Sequence, residues 1–145
     1  MKIIKTEGVV IKKTDFGEGD RIIQVVSKNM GNISIFLKGI RKSKKREKIA
    51  SDIINYSEFI VYHKENSDLY MCSAVELKNP FFNIKSDMTK IQTAYYVARF
   101  LDFYLKEGDK NLKLYRSCIK IFEYINKENN KSRIFVSVLY LLLMI

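Results

Sequence analysis

The chain has 145 residues, with 26 lysines and arginines against 16 aspartates and glutamates, which gives a formal net charge of +10 at pH 7. Hydrophobic residues make up 47% of it, enough for a folded core, so wholesale disorder is excluded. The single histidine, His63, excludes a histidine-based metal site and a Ser-His-Asp triad, and Cys72 and Cys118 cannot supply four zinc ligands. The positive charge instead favours an anionic partner, either nucleic acid or a membrane surface.

The first half of the chain alternates between β-branched runs and turn residues, which is the pattern of short strands joined by tight turns. In residues 33–38, Phe36 points away from the face that Ile33 and Ile35 share. In residues 69–77, the alternation places five side chains on one face: Leu69, Met71, Ser73, Val75 and Leu77. The five predicted strands are residues 6–13, 21–27, 33–38, 52–62 and 69–77.

Five short strands with turns between them predict a small antiparallel barrel or sandwich over residues 1–80. Five strands that close as a Greek-key barrel form the OB fold, whose face and loops commonly bind single-stranded nucleic acid. An SH3-like barrel fits the strand count nearly as well. We therefore expect an α+β chain, with a five-stranded OB-fold barrel followed by an α-helical domain in residues 81–145.

The periodicity changes to that of helices after Pro80, the only proline of the chain. Ser86 and Asp87 are candidate N-caps of a first helix, which runs to about Glu107 and is stopped by Gly108. A second helix is predicted over residues 111–127, and a third begins near Ser132. The aromatic side chains of the first helix are expected to pack against the barrel and the other helices; they are Tyr95, Tyr96, Phe100, Phe103 and Tyr104.

The third predicted helix is apolar on nearly every side, since residues 134–145 are interrupted only by Ser137. Its length of about 18 Å is well short of the ~30 Å hydrocarbon core of a bilayer, so a membrane span is excluded. Such a helix is normally buried, and a small barrel with two other helices offers it few neighbours. We therefore expect the sequence to be the N-terminal portion of a longer protein, and we expect this chain to self-associate.

Residues 38–48, called the basic loop below, hold seven basic residues and one acid in eleven positions. The loop joins the third and fourth predicted strands, where an OB-type barrel presents a loop beside its binding face. Flexible cations at that place neutralise phosphates without reading bases. A solvated loop or a localisation-type tract is the alternative interpretation. The predicted DNA-binding cations are Lys38, Arg41, Lys42, Lys44, Lys45 and Arg46.

The candidates for base stacking are the aromatic side chains in or beside the predicted strands: Phe16, Phe36, Tyr56, Tyr62 and Tyr70. Phe36 is singled out, because it lies beside Lys38 on the face of the strand opposite to Ile35. Stacking of one base on such a ring is worth about 1–3 kcal/mol. The alternative interpretation is that Phe36 belongs to the apolar core, as most aromatic side chains in strands do.

The sequence predicts no catalytic residue, no metal site and no cofactor. Asp15, Glu18 and Asp20 lack the spacing of an EF-hand, and we expect them to fix the first turn and to pair with Arg21 or nearby lysines. The two cysteines lie on a predicted strand and a predicted helix, where they are expected to be core residues. With no nucleophile–base pair, the chain does not resemble an enzyme, and without a disulfide framework we expect it to be cytoplasmic.

A set of short motifs follows in order along the chain. It begins with Thr6-Glu7-Gly8 and the triplet Val9-Val10-Ile11, and continues with Glu18-Gly19-Asp20-Arg21 ahead of a hydrophobic strand. Lys38-Gly39 before Arg41 and the junction Asn79-Pro80-Phe81-Phe82 come next. This ordered set resembles the RecO family of recombination mediators, and the resemblance covers essentially the whole chain.

The resemblance implies an N-terminal OB fold followed by an α-helical domain. It also implies binding of single- and double-stranded DNA, annealing of complementary strands, and loading of recombinase together with RecR and single-strand-binding protein. Many family members carry a four-cysteine zinc module after the third helix, to which neither Cys72 nor Cys118 belongs. Zinc is therefore expected only in a segment beyond this sequence, and the protein is expected to be associated with the nucleoid.

Two other functions are compatible with the same residues. An RNA-binding OB-fold protein of translation or RNA decay would use the same barrel and the same charge. A protein-interaction adaptor would need the charge for solubility only.

Annealing requires charge neutralisation and the juxtaposition of strands, without covalent chemistry. The basic residues and the absence of a catalytic constellation in the sequence are therefore consistent with the function that the resemblance implies.

Overall fold

The computed structural model describes residues 2–143, with the side chains of Arg46 and Leu141 excepted. The strands are β1 (Ile3–Phe16), β2 (Asp20–Ser27), β3 (Gly31–Leu37), β4 (Tyr56–His63) and β5 (Leu69–Asn79). The helices are α1 (Lys45–Ala50), α2 (Phe82–Lys85), α3 (Met88–Tyr104), α4 (Leu112–Lys127) and α5 (Lys131–Leu143). The predicted succession of strands and then helices is confirmed, although the sequence pattern missed the short helices α1 and α2.

The five strands form a closed barrel in the order β1-β2-β3-β5-β4, and β4 returns to pair with β1. Strands β3 and β5 run parallel, and the other pairs are antiparallel, so the expectation of a wholly antiparallel barrel is wrong for that pair. A five-stranded Greek-key barrel with this crossover is the OB fold, and that prediction is confirmed.

Strand β1 is buried on both faces and separates two apolar cores. Val10 faces the interior of the barrel, whereas Val9 and Ile11 pack against the helices. All three side chains are at most 2% exposed. The ordinary alternation of side chains along a strand gives this arrangement. A bulge follows it, since the register with β2 shifts between Val10 and Lys12 and leaves Ile11 unpaired. One outer side of the barrel is therefore covered by helices.

Side-chain caps fix the starts of α3 and α4. The backbone N–H of Lys90 donates to Oδ1 of Asp87 at 3.0 Å, and that of Leu114 donates to Oδ1 of Asn111 at 3.0 Å. The predicted cap at Asp87 is confirmed. Helix α3 ends at Tyr104, about one turn before the predicted end near Glu107 and Gly108. Among the described helices, none combines the length and the apolar character that crossing a bilayer requires.

The expectation that the aromatic side chains of α3 pack inside is wrong for four of them. Tyr96 is 70% exposed and Phe103 is 91% exposed, and Tyr95 and Tyr104 are exposed as well. Phe100, by contrast, packs against the core. The buried stripe of α3 consists mainly of small and aliphatic residues, which let the helix lie close to its neighbours, so the bulky rings are left on the opposite face.

Helix α5 is buried along one stripe, formed by Ile134 and Val138. The apolar side chains on its other faces are exposed: Phe135, Val136, Leu139, Tyr140 and Leu143. The described elements thus cover one side of a helix whose pattern is typical of full burial. The expected self-association stays a prediction, and the last two residues of the predicted helix lie outside the described residues.

A bulge in β5 makes some of its side chains point to the face opposite to the one that alternation predicts. The register with β4 shifts by one residue at Ser73. Before the bulge, Tyr70 and Cys72 pack against the barrel core, and after it Val75 does so. Met71 therefore faces outward, whereas strict alternation placed it on the same face as Val75. One extra residue reverses the alternation along a strand.

The segment between α3 and α4 lies along the edge of β3. The N–H of Gly108 donates to the carbonyl oxygen of Asn32 at 2.7 Å. Gly31 permits this close approach, because its φ is 72° and a side chain there would overlap the carbonyl oxygen of Asp109. Backbone contacts as well as the apolar core thus hold the helical half against the barrel.

We expect Gly31→Ala to lower the free energy of unfolding by more than Gly39→Ala. Both glycines are left-handed, with φ of 72° and 67°, so an alanine at either position costs roughly 1–2 kcal/mol in backbone strain. The space around Gly39 is open, whereas the methyl group at position 31 meets backbone and adds about 1–3 kcal/mol of overpacking. Urea denaturation measures the difference, and equal losses would contradict the close approach.

Candidate nucleic-acid interface

The basic loop contains two short helical segments that its composition did not predict. A 3₁₀ turn spans Ile40–Lys42, and α1 follows. The side chain of Ile40 is 6% exposed and belongs to the barrel core, so it anchors the loop from inside. Strand β4 correspondingly begins at Tyr56, four residues later than predicted.

A buried arginine ties the end of the basic loop to the β1–β2 hairpin. Arg21 is 2% exposed, and its Nε donates to Oδ1 of Asp15 at 2.5 Å. Its Nη1 donates to Oγ of Ser51 at 2.7 Å and to Oδ1 of Asp52 at 3.2 Å. Ser51 and Asp52 follow α1 directly, so these bonds hold the end of that helix against the start of β2. The predicted pairing of Asp15 with Arg21 is confirmed.

Arg41 holds the β1–β2 turn from the side of the loop. Its Nη2 donates to the carbonyl oxygens of Phe16 and Gly17, at 3.0 and 2.7 Å. Its Nε donates to the carbonyl oxygen of Asp20 at 3.3 Å, and the carboxylate of Asp20 accepts from the N–H of Gly39 at 2.8 Å. The guanidinium that the sequence assigned to phosphate is therefore occupied by backbone carbonyls in the structure.

The other described cations of the loop are lysines that extend into solvent. They are Lys38, Lys42, Lys44, Lys45 and Lys48. Lys42 Nζ lies 3.8 Å from a carboxylate oxygen of Glu18, but both side chains are exposed, so solvent screens most of this attraction. The side chain of Arg46 lies outside the described residues, and its phosphate contact stays a prediction.

Phe36 points outward from β3, between the buried side chains of Ile35 and Leu37. Its ring packs against that of Phe16, with centroids 5.5 Å apart and the planes inclined by 55°. Phe16 is 43% exposed. Because Arg41 binds the carbonyl of Phe16, the ring pair adjoins the basic loop. The sequence named both residues among the aromatic candidates, but it did not predict that their rings pack together, because they lie on different strands.

One acidic side chain from the helical half borders this surface. The carboxylate of Glu107 accepts from the N–H of Ser34 at 3.1 Å and from Nε2 of Gln24 at 2.9 Å, on the outer face of β2 and β3. A carboxylate repels phosphates, so the surface suited to an anion ends there. Nothing in the local sequence marks Glu107 as a neighbour of β3.

A cavity of about 770 Å³ lies elsewhere, between the barrel and the start of α4. Two of the three lysines that line it are paired with acids, since Lys5 lies 3.6 Å from Glu58 and Lys28 lies 4.0 Å from Glu7. Its charge is therefore mixed, unlike that of the basic loop.

Neither thiol has the character of a nucleophile. Burial raises the pKa of both Cys72 and Cys118 to about 12, so each stays protonated at neutral pH. Cys118 is buried as predicted, and Cys72 is half-buried. Over residues 2–143, no group of three or more histidine, cysteine, aspartate or glutamate side chains is placed to hold a metal ion.

The sequence of this chain is similar to that of one family of known proteins. The profile of the family described as recombination protein O N terminal matches residues 1–81. A DNA repair protein RecO of Acetivibrio thermocellus is 34% identical over 102 residues, which are 70% of this chain and 39% of that protein. Those of Alkaliphilus metalliredigens and Caldicellulosiruptor bescii are each 27% identical, over 87% and 93% of this chain and 50% and 56% of their own lengths. The chain spans about half the length of the curated relatives that it matches.

Replacement of Arg21 by methionine is expected to lower the free energy of unfolding by about 3 kcal/mol, the lower end of the range for breaking a buried ion pair. The lower end applies because the carboxylates of Asp15 and Asp52 keep contact with solvent. Lys42→Met removes a cation whose pairing is exposed, and it serves as the matched control with an expected effect within about 0.5 kcal/mol. Chemical denaturation compares the two, and similar losses would contradict the anchoring role of Arg21.

The stability at low pH is expected to depend on Asp15. The hydrogen bond from Arg21 lowers the pKa of the Asp15 carboxyl below its ordinary value of 3.8. The ionised carboxyl therefore stabilises the fold at neutral pH, and this contribution is lost as the pH falls below about 4 through the folded-state pKa. We expect Asp15→Asn to be less stable at about pH 7 and to lose less stability on acidification. Urea denaturation at several pH values tests this, and identical acid slopes would refute it.

Proposed function

Because the chain belongs to the recombination protein O family, we propose that it is the DNA-binding part of a DNA repair and recombination mediator. The curated relatives are named DNA repair proteins. In this proposal the barrel binds single- and double-stranded DNA and promotes the annealing of complementary strands. The observation that carries it is the anchored surface on which the exposed lysines of the basic loop adjoin the Phe16–Phe36 ring pair.

The lysines supply affinity through the phosphates. Each phosphate that a lysine neutralises releases condensed counterions, so binding of this kind weakens steeply with salt. An ammonium group is a point charge on a flexible stem, and it contacts a phosphate without a fixed geometry. Phosphate contacts carry no sequence information, which suits a protein that acts on any strand.

Annealing needs the mutual repulsion of two phosphate backbones to be reduced, and it needs no covalent chemistry. A surface that neutralises one strand lowers the cost of bringing a second strand near it. The proposal accordingly assigns no catalytic residue and no cofactor to the residues that the structure describes.

Protein partners extend the proposal. RecR and single-strand-binding protein are the partners that the family resemblance implies, with loading of recombinase as the outcome and the nucleoid as the location. The exposed apolar side chains of α3 and α5 are surfaces available to proteins. Cosedimentation of the chain with each purified partner tests this part separately from DNA binding.

Removal of the four loop lysines predicted as DNA contacts should flatten the salt dependence of binding to single-stranded DNA. The variant carries alanine at Lys38, Lys42, Lys44 and Lys45. Since log K falls with log salt by about 0.7 per phosphate neutralised on a single strand, the slope should decrease by up to about 2.8. Titration of labelled single strands of different base sequence at several salt concentrations measures the slope, which should change alike for each sequence.

A matched control removes the same charge from the helices, with alanine at Lys113, Lys120, Lys127 and Lys131, all of which are exposed. Its slope should equal that of the parent. A loss in the control and none in the loop variant would place the nucleic acid on the helices and refute the proposed interface. In a competition between DNA and RNA oligomers of the same sequence, tighter binding of RNA would contradict the proposal. If neither oligomer binds in a salt-sensitive way, the chain is a protein-interaction adaptor instead.

A further inference from the structure

A row of outward side chains crosses the barrel beside the proposed interface. The strand register pairs Phe36 with Met71, Met71 with Tyr62, and Tyr62 with Ile3, on four neighbouring strands. Partners across a pair of strands lie on the same face of the sheet, so these four side chains, called the outer row, are neighbours. Three strand spacings of about 4.8 Å make the row about 14 Å long.

The outer row faces away from the barrel core. Each of its members is next in sequence to a side chain that packs on that core: Ile35, Tyr70, Val61 and Ile4. Successive side chains of a strand point to opposite faces, so the members of the row point outward. Ile3 is 62% exposed, and the other three are half-buried, as expected for side chains that cover one another.

Tyr62 of the outer row borders a cavity of about 490 Å³, called the end pocket. Ile4 and Tyr70, which pack on the barrel core, line the pocket as well, so it lies at the point where the outer face meets the end of the barrel. Tyr62 lines this pocket together with His63 and Tyr70. The rings of His63 and Tyr70 meet edge to face, with centroids 5.0 Å apart and the planes inclined by 70°. A cavity of this size with aromatic walls fits a planar organic ring.

Positive side chains stand at both ends of the row. Lys38 is two residues from Phe36, and Lys2 and Lys64 line the end pocket with Glu65 as its acid. Aromatic rings accompanied by cations suit single-stranded nucleic acid, whose bases stack on rings while its phosphates meet the charges. An uncharged apolar peptide would use the rings and gain nothing from the lysines.

We propose that the outer row and the end pocket form a stacking track for the unpaired bases of a single nucleic-acid strand. The strand would pass from the basic loop over the Phe16–Phe36 pair and cross β5 and β4 to the end pocket. The inference rests on the proposed function, which it deepens by assigning unpaired bases to side chains outside the basic loop. A double helix keeps its bases stacked inside, so the track is specific for single strands.

The experiment compares two probes of equal length, an oligothymidylate of about 12 nucleotides and the same backbone without bases. The parent chain should bind the probe with bases more tightly. Tyr62→Ala should weaken binding of that probe about 5- to 150-fold, the loss expected for one stacked base, and leave the probe without bases unaffected. The salt slope should not change, because no phosphate contact is lost.

Two control variants isolate the ring of Tyr62. Tyr62→Phe keeps the ring and should bind as the parent does. Tyr96→Ala makes the same truncation at a 70% exposed tyrosine of α3, and it should have no effect. Urea denaturation checks that each variant is folded. If Tyr62→Ala is unfolded, Met71→Ala replaces it, since that change removes the side chain in the middle of the row.

The outcomes separate the track from the function on which it rests. If the parent binds both probes equally, and the variant without the loop lysines shows the expected flatter salt dependence, the track is refuted and the proposed function stands. Salt-sensitive binding of neither probe overturns both. Unchanged affinity for the probe with bases in both Tyr62→Ala and Met71→Ala would refute the inference. So would binding of an uncharged apolar peptide to the row in place of the oligonucleotide, because the row would then serve another ligand.

Discussion

The buried guanidinium of Arg21 is the contact on which the position of the basic loop depends. A buried cation is costly unless carboxylates and other acceptors surround it. Asp15, Ser51 and Asp52 provide them, from the β1–β2 hairpin and from the end of α1. Because these groups come from separate parts of the chain, the network forms only when the barrel is folded. The lysines of the loop are then presented at a fixed place beside the β1–β2 turn.

The basic residues of this surface divide into two groups by the chemistry of their side chains. Arg21 and Arg41 use several planar donors to bind carboxylates and carbonyls inside the protein. The lysines keep one mobile charge each in solvent. A run of cations in a sequence therefore overstates the charge that is free for a ligand, since some of it serves the fold. What remains suits phosphates that arrive in no fixed orientation.

Local patterns in the sequence predicted the elements of this fold better than the partnerships between them. Alternation located the five strands, and Asp87 capped the helix that it was expected to cap, because both depend on neighbours in sequence. The bulge at Ser73 and the contact of Glu107 with β3 depend on register between distant segments, which alternation does not encode. For the same reason the sequence named Phe36 and Tyr62 separately as candidates for stacking, and only the pairing of the strands places them in one row.

The helices determine which part of the barrel is open to a ligand. Val9, Ile11 and Val26 on the outer side of β1 and β2 pack against the helical core. Glu107 occupies the N–H of Ser34 at the edge of β3 and places a negative charge there. A strand drawn to the lysines of the basic loop is thus directed away from the helices, along the outer row over β5 and β4. In the proposed interface, charge and stacking then act at successive positions, so the salt-sensitive part of the affinity belongs to the loop and the salt-insensitive part to the row.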